Sequence, residues 1–190
     1  MKKIFMITYQ PKEKSDKEEY INTFIDESKK AGNEVKILNI HDIEIEYLKL
    51  NGNTINQELT PELKDAQSDI LWADQIVLVY SVWWLNVPAK LKAFIERIFQ
   101  VDILLGYGKM GPKPILKNKT LVVIQSYSMP FYVMKYFYND IPFKFIKVVF
   151  EDWCGFKIVK RFDIDMTENI NEKNRKKFIN EIKKFAAKNK

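Results

Sequence analysis

The sequence has one cysteine, one histidine and no long apolar run, and each scarcity excludes a class of protein. Cys154 is the only cysteine among 190 residues, so an intrachain disulfide framework of the secreted type is excluded. No segment approaches the ~20 consecutive apolar residues that a transmembrane helix needs. The short apolar run after Met1 also lacks a signal-peptide cleavage site. We therefore expect a cytoplasmic protein without a membrane span.

Several common functional motifs are missing as well. Neither a G-x-x-x-x-G-K-[ST] loop nor a G-x-G-x-x-G turn is present, so P-loop and Rossmann phosphate binding are not supported. The net charge is +6, but the lysines are interleaved with acids and accompany no nucleic-acid-binding motif, so we expect no nucleic-acid partner. His41 follows the second predicted strand and is interpreted as a surface or structural residue rather than a catalyst. No set of metal ligands is predicted.

Apolar segments alternate with amphipathic segments along the chain, a pattern typical of a parallel α/β fold. The length of 190 residues suits a single domain over residues 1–190, and a hydrophobic fraction of 46% is enough to build its core. Five short apolar runs predict β-strands, at residues 3–8, 35–40, 75–80, 121–124 and 155–162. Helices are predicted between the strands and at the end of the chain, with residues 41–59 and 106–114 as connections. This alternation implies parallel pairing and right-handed crossovers, so we predict a flavodoxin-like three-layer sandwich with strand order 2-1-3-4-5.

The loops after the first, third and fourth strands should form the ligand site, because such sheets bind ligands where the winding reverses. The first of these loops leads into a helix N-terminus, where unpaired N–H groups and the helix dipole favour a phosphate. We predict that four residues around this loop contact a cofactor phosphate: Gln10, Lys12, Ser15 and Lys17. Ser15 stands three residues before Glu18, so its hydroxyl fits a helix N-cap equally well, and both interpretations stay open.

The loop after the third strand carries two adjacent tryptophans. An extended backbone here would lay its amides along the polar edge of a flavin ring, with indole packing beside the ring. The candidate contacts are Ser81, Val82, Trp83, Trp84 and Leu85. The alternative is that both indoles close the core or a subunit contact.

Hydroxyl and aromatic residues follow the fourth strand. Ser126, Tyr127 and Ser128 offer donors on the other side of the same crevice. Because a flavin itself carries hydride chemistry, a redox enzyme needs no His/Asp/Ser constellation. Tyr127 and Tyr132 are predicted as the catalytic residues, which either form the acceptor pocket or donate protons to a reduced quinone. The crowding of aromatic residues over positions 131–153 predicts a homodimer interface beside the site.

Residues 80–99 (YSVWWLNVPAKLKAFIERIF) resemble the P-x-x-W-[WF]-x-x-[VM]-P-A-x-[LM]-K-x-[WF]-x-[DE]-R-[VI]-F signature of the NAD(P)H:quinone reductases. That family includes the potassium-efflux ancillary oxidoreductases and the modulator-of-drug-activity reductases. Residues 153–156 (WCGF) are similar to its [HW]-x-G-[FM] entry to the last strand, and Ser15 stands where it has a phosphate-binding serine.

The resemblance implies a flavodoxin-like homodimer with non-covalent FMN or FAD and ping-pong, two-electron transfer from NAD(P)H to quinones. It also implies that Ser15 contacts the cofactor phosphate. Residues 82–85 would line the flavin, and residues 126–128 would hold its pyrimidine side.

Two departures from the family pattern motivate an alternative function. Ser81 replaces a proline, and the residues 126–129 (SYSM) replace a glycine-containing T-x-G-G loop. A crevice filled by Met129 would favour a flavin-poor ancillary subunit that binds a protein partner. A one-electron flavodoxin carrier is disfavoured, because the chain is basic and lacks a T-x-T-G-x-T loop. A receiver domain is excluded, because Tyr80 and Ser81 stand where its phosphorylated aspartate would be.

Overall fold

The chain alternates strands and helices in the computed structural model, which describes residues 1–10, 17–49, 57–100, 102–167 and 170–189. The strands are β1 (Lys3–Thr8), β2 (Glu34–Asn39), β3 (Gln75–Ser81), β4 (Gly106–Gly108), β5 (Gly111–Lys113), β6 (Thr120–Ser126) and β7 (Lys157–Ile164). The α-helices are α1 (Lys17–Lys30), α2 (Pro61–Trp72), α3 (Ala89–Ile98), α4 (Phe131–Tyr136), α5 (Ile141–Ile146) and α6 (Glu172–Lys188). A 3-10 turn covers Ile40–Asp42, and a π-helical segment, Lys147–Cys154, continues α5.

The main sheet is parallel throughout, with strand order β2-β1-β3-β6-β7. This confirms the predicted order 2-1-3-4-5, because β4 and β5 form a separate antiparallel pair. That pair lies in the segment predicted as a plain connection. A Cβ at Gly106 would lie 2.9 Å from the Lys113 carbonyl oxygen, so this pairing depends on a glycine rather than on an apolar pattern.

Helices cover both faces of the sheet, because side chains alternate between the faces along each strand. Ile4 and Met6 of β1 pack in the core cluster that contains Phe24 of α1 and Ile182 of α6. Phe5 of β1 belongs to the opposite cluster, with residues of α2, α3 and the π-helical segment. The predicted three-layer sandwich is confirmed.

The helical prediction for residues 130–153 is right in kind, but the segment is broken. Asn139 and Asp140 both adopt left-handed backbone angles, with φ of 52° and 54°, and separate α4 from α5. Gly155, with φ of 98°, ends the π-helical segment. β7 consequently begins and ends two residues later than the predicted fifth strand.

One buried arginine of α3 fastens the connection after β2. The Arg97 guanidinium donates to the carbonyl oxygens of Glu46 (3.0 Å) and Glu58 (2.6 Å). These two carbonyls lie on the two described parts of the predicted 41–59 connection. Among the described residues, no helix is both long enough and apolar enough to cross a bilayer.

Candidate functional site

The candidate site lies at the carboxyl ends of β3 and β6, which are hydrogen-bonded neighbours in register. Ser81 and Ser126 are paired at the last position of the two strands, and their hydroxyl oxygens lie 3.0 Å apart. The Val82 N–H then donates to the Ser126 carbonyl at 2.9 Å. The loops after the two strands therefore leave the sheet side by side.

The loop after β3 is a tight reverse turn, so the predicted extended backbone is wrong here. Trp83 and Asn86 exchange two backbone hydrogen bonds of 2.9 Å each. Between them Trp84 and Leu85 have φ of 48° and 57°, which costs an L-residue roughly 1–2 kcal/mol each. The turn directs both indoles outward, with Trp83 62% and Trp84 96% exposed. Neither indole closes the core.

The loop after β6 is fixed to the end of β7 and to the segment that follows it. The Tyr127 N–H donates to the Ile164 carbonyl at 2.9 Å. The Tyr127 carbonyl in turn accepts from the backbone N–H and the hydroxyl of Thr167, both at 3.0 Å. This anchoring holds the loop backbone in place although it carries the side chains of residues 126–129 instead of glycines.

The Tyr127 side chain is buried, and its hydroxyl has partners within the protein. The hydroxyl donates to Asp163 and accepts from Arg161 Nη2 at 3.0 Å. Burial raises the pKa of the Tyr127 hydroxyl above its ordinary value, and the negative charge of Asp163 and the hydrogen bond to it act in the same direction. The phenol therefore stays protonated at neutral pH.

Two adjoining cavities lie between these loops. The larger has a volume of about 450 Å³ and is lined by Val82, Trp84, Leu85, Tyr127, Ser128, Met129, Met134 and Tyr138. The smaller has a volume of about 270 Å³ and is lined by Ser81, Val82, Trp83, Trp84, Ser126, Tyr127, Ser128 and Thr167. Met129 borders the larger cavity without filling it, so the loop without glycines leaves room for a ligand.

The two cavities differ in chemistry. The larger is lined mainly by aliphatic, aromatic and thioether side chains, and its volume falls in the ~300–1,000 Å³ range of small-molecule sites. The smaller is bordered by the hydroxyls of Ser81, Ser126, Ser128 and Thr167. Among the described residues that line the two cavities, none carries a charged side chain. The pair therefore suits a flat, largely apolar group with one polar edge.

All eight candidates from the loops after β3 and β6 border at least one cavity, namely Ser81, Val82, Trp83, Trp84, Leu85, Ser126, Tyr127 and Ser128. Tyr132 lies on α4 with 61% of its side chain exposed, outside both lining sets. Its predicted proton-donor role stays a prediction.

The predicted phosphate contacts are only partly described. Lys12 and Ser15 lie outside the described residues. The backbone of Gln10 is held by the Asn39 side chain, which accepts from its N–H (3.4 Å) and donates to its carbonyl (3.1 Å). Lys17 is the first residue of α1, and burial lowers the pKa of its amine to about 8.

The sequence did not predict four residues that complete the larger cavity or hold the side chain of Tyr127. Met134 and Tyr138 complete the larger cavity, and Arg161 and Asp163 of β7 hold the Tyr127 hydroxyl. One signal was available: Arg161 and Asp163 are two residues apart on a strand, so they share a face. Nothing local to Met134 or Tyr138 indicates that they meet the loops after β3 and β6.

Other features of the described chain do not form a second candidate. A cavity of about 580 Å³ is lined by Asp74 and residues 114–119 near the amino ends of β3 and β6, opposite the edge where this fold binds ligands. No group of three or more His, Cys, Asp or Glu side chains able to hold a metal occurs in the part of the chain that the structure describes.

Comparison with known proteins gives consistent matches. A family model described as flavodoxin-like fold matches residues 2–186. An FMN-dependent NADH:quinone oxidoreductase from Coprothermobacter proteolyticus is 32% identical over 136 residues, which is 66% of this chain and 68% of that protein. The chain spans smaller shares of other curated relatives, 21% and 30% for two of them.

Solved structures match over nearly the whole chain. An NAD(P)H:quinone oxidoreductase from Methanothermobacter marburgensis has a TM-score of 0.81 at 16% identity, covering 100% of this chain and 99% of that chain. An FMN-dependent NADH-azoreductase from Bacillus anthracis, in complex with FMN, has a TM-score of 0.78 at 22% identity and covers 98% of both chains. At these identities the structural matches show the fold.

Proposed function

Since the chain belongs to the family of flavodoxin-like fold proteins, we propose that it is an FMN-dependent NAD(P)H oxidoreductase that reduces quinone-type acceptors. The carrying observation is the pair of cavities between the loops after β3 and β6, at the edge of the sheet where this fold binds ligands. The curated relative that matches 66% of the chain has this activity in its name.

The residues at the site fit a flavin. The apolar walls formed by Val82, Leu85 and Met129 suit the faces of a flat ring, and the hydroxyls of Ser81 and Ser126 suit its polar edge. Bound FMN would supply the ring that takes a hydride from the nicotinamide and passes it to the acceptor. We propose that the phosphate binds near the start of α1, with Lys17 and Gln10 as predicted contacts. Lys12 and Ser15, the other two predicted contacts, lie outside the described residues.

The residues of the chain itself would bind and orient the ligands and exclude water from the site. Met134 and Tyr138 add apolar surface on the α4 side of the larger cavity, which keeps water from the reacting groups. Tyr127 forms a wall common to both cavities. Its hydroxyl proton is already donated to Asp163, so proton donation from Tyr127 to an acceptor would require that hydrogen bond to open. Tyr132 is the second predicted donor.

Three further parts of the proposal concern kinetics, assembly and location. We expect the nicotinamide and the acceptor to use the larger cavity in turn, which gives ping-pong kinetics.

A homodimer is supported by the exposed aromatic side chains of Tyr132, Tyr136 and Phe137, which lie next to the site. The cytoplasmic location and the single-domain organisation expected from the sequence remain predictions.

The test begins with the protein as purified. Mass spectrometry of any cofactor released on denaturation should identify FMN, and rapid mixing with NADH and with NADPH should bleach the flavin absorbance. Added menadione should restore the absorbance. Protein that neither carries nor binds FMN would contradict the proposal and favour the ancillary-subunit alternative, which predicts a protein partner instead. The unfilled cavity beside Met129 supports the enzyme.

A further inference from the structure

One wall of the larger cavity is built from a short segment with little stability of its own. α4 has six residues, and Met134 within it and Tyr138 just after it both line the cavity. An isolated helix of this length is unstable in water, because nucleation costs more than so few hydrogen bonds return. The position of this wall must therefore be fixed by contacts outside α4.

The segment 131–140, which contains α4, is held at both ends by β7 and by the residues after it. At the start, the Phe131 N–H donates to Asp165 Oδ2 at 3.0 Å. At the end, both carboxylate oxygens of Asp140 pair with the Arg161 guanidinium, one of them with Nη2 at 2.8 Å. Such two-point pairs fix geometry as well as distance.

The same guanidinium also holds Tyr127, which lines another part of the larger cavity. Arg161 Nη2 donates to the Tyr127 hydroxyl at 3.0 Å, and Nε donates to Asp163 at 2.7 Å. The group is largely buried, and its central carbon lies 4.0 Å from the Phe143 ring centroid and 5.1 Å from that of Phe131. One side chain thus contacts both Asp140, at the end of the segment 131–140 that contains α4, and Tyr127 of the loop after β6.

We propose that Arg161 is a positioning residue, which sets the separation of the α4 wall and the Tyr127 wall of the larger cavity and thereby the affinity for the electron acceptor. This inference rests on the proposed function for the identity of the ligand. Lysine cannot replace Arg161, because a single ammonium cannot reproduce the planar fork that meets Asp140, Asp163 and Tyr127 together.

The experiment compares Arg161→Lys and Asp140→Asn with the matched control Arg97→Lys. Arg97 is also buried, but its guanidinium donates to backbone carbonyls of the connection after β2. The first measurement is amide hydrogen exchange over residues 131–140 of each protein as purified, which needs no activity. The second is the KM and kcat for menadione at saturating NADH, together with the bound FMN per chain.

We expect faster exchange over residues 131–140 in both site variants and a KM for menadione raised about tenfold. Bound FMN should stay at the wild-type level, and Arg97→Lys should lose thermal stability with unchanged KM. Unchanged exchange in both site variants, or faster exchange with an unchanged KM, would overturn the proposal. If Arg161→Lys does not fold, Asp140→Asn carries the test alone. If the wild-type protein shows no reductase activity, the proposed function is contradicted. Faster exchange over residues 131–140 in the two site variants would then still support the positioning role of Arg161.

Discussion

Trp84 and Leu85 occupy the two central positions of the turn after β3, both with left-handed backbone angles. Turns of this hand are normally built from Asn-Gly or Asp-Gly pairs, because glycine has no Cβ to clash. Here two large apolar residues take these positions, and both line the larger cavity. The strain is located where the side chains border the cavity, and strained backbone of this kind is common at functional sites.

Replacing Leu85 by glycine should therefore separate stability from binding. Leu85→Gly removes the strain at this position, whereas Leu85→Ala removes the same wall and keeps most of the strain. We expect the glycine variant to be more stable than the alanine variant by about 1 kcal/mol in free energy of unfolding. Both variants should bind FMN more weakly than wild type. Denaturant unfolding of the apo-proteins measures this difference. Equal free energies of unfolding for the alanine and glycine variants would contradict the claim that the backbone at position 85 is strained.

The amine of Lys17 should make FMN binding depend on pH. Burial lowers its pKa to about 8, and a bound phosphate would favour the charged form and raise that pKa. Below pH 8 the amine is already charged. Above pH 8 binding must take up a proton, so the affinity for FMN should fall, by up to about tenfold per pH unit.

Fluorescence titration of the apo-protein with FMN between pH 7 and 9 measures this dependence. Lys17→Met should bind more weakly and lose the slope above pH 8, while Lys17→Arg should keep the affinity and also lose the slope. The same slope in Lys17→Met would show that another group titrates.

The thiol of Cys154 should be unreactive in the folded protein. Its side chain is fully buried at the end of the π-helical segment, and burial raises its pKa to about 12. Since the thiolate is the reactive form, iodoacetamide should modify Cys154 only after unfolding. Mass spectrometry of native and urea-treated protein checks this. Rapid labelling of the native protein would contradict the burial.

Asn189 should stabilise the fold from the edge opposite the site. Its amide donates to Gln75, the fully buried first residue of β3, and its Oδ1 accepts from Lys2 Nζ at 2.9 Å. Asn189→Ala leaves the side-chain oxygen Oε1 of Gln75 without this donor, so we expect the free energy of unfolding to fall by about 1–3 kcal/mol. The exposed Asn118→Ala serves as the control. Equal melting temperatures for the two variants would refute the role, and quinone reduction should be unchanged in both.

The strand order of the sheet was predictable because it follows from patterns that extend over whole strands and helices. Five apolar runs separated by amphipathic helices leave few topologies once crossovers are right-handed. The β4–β5 pair was not predictable in this way, since it rests on the close approach of Gly106 to a carbonyl oxygen rather than on a hydrophobic pattern.

The site was predictable as a set of loops but not in conformation. The residues at the ends of β3 and β6 border the same two cavities, because the carboxyl ends of adjacent parallel strands meet at one edge. The turn at Trp84 and Leu85 gave no local signal, since neither residue type favours a left-handed backbone. The pairing of Asp140 with Arg161 joins residues 21 apart through the tertiary fold.

The central claim is that a flavin ring binds between the loops after β3 and β6, and a cavity-filling variant tests it most directly. Ser128 borders both cavities, so Ser128→Trp should occupy the space of the ring, while Asn118→Trp fills the distant cavity lined by residues 114–119. FMN titration of the folded apo-proteins should show wild-type affinity for Asn118→Trp and a loss of at least tenfold for Ser128→Trp. Wild-type FMN affinity in Ser128→Trp would place the flavin elsewhere and contradict the account.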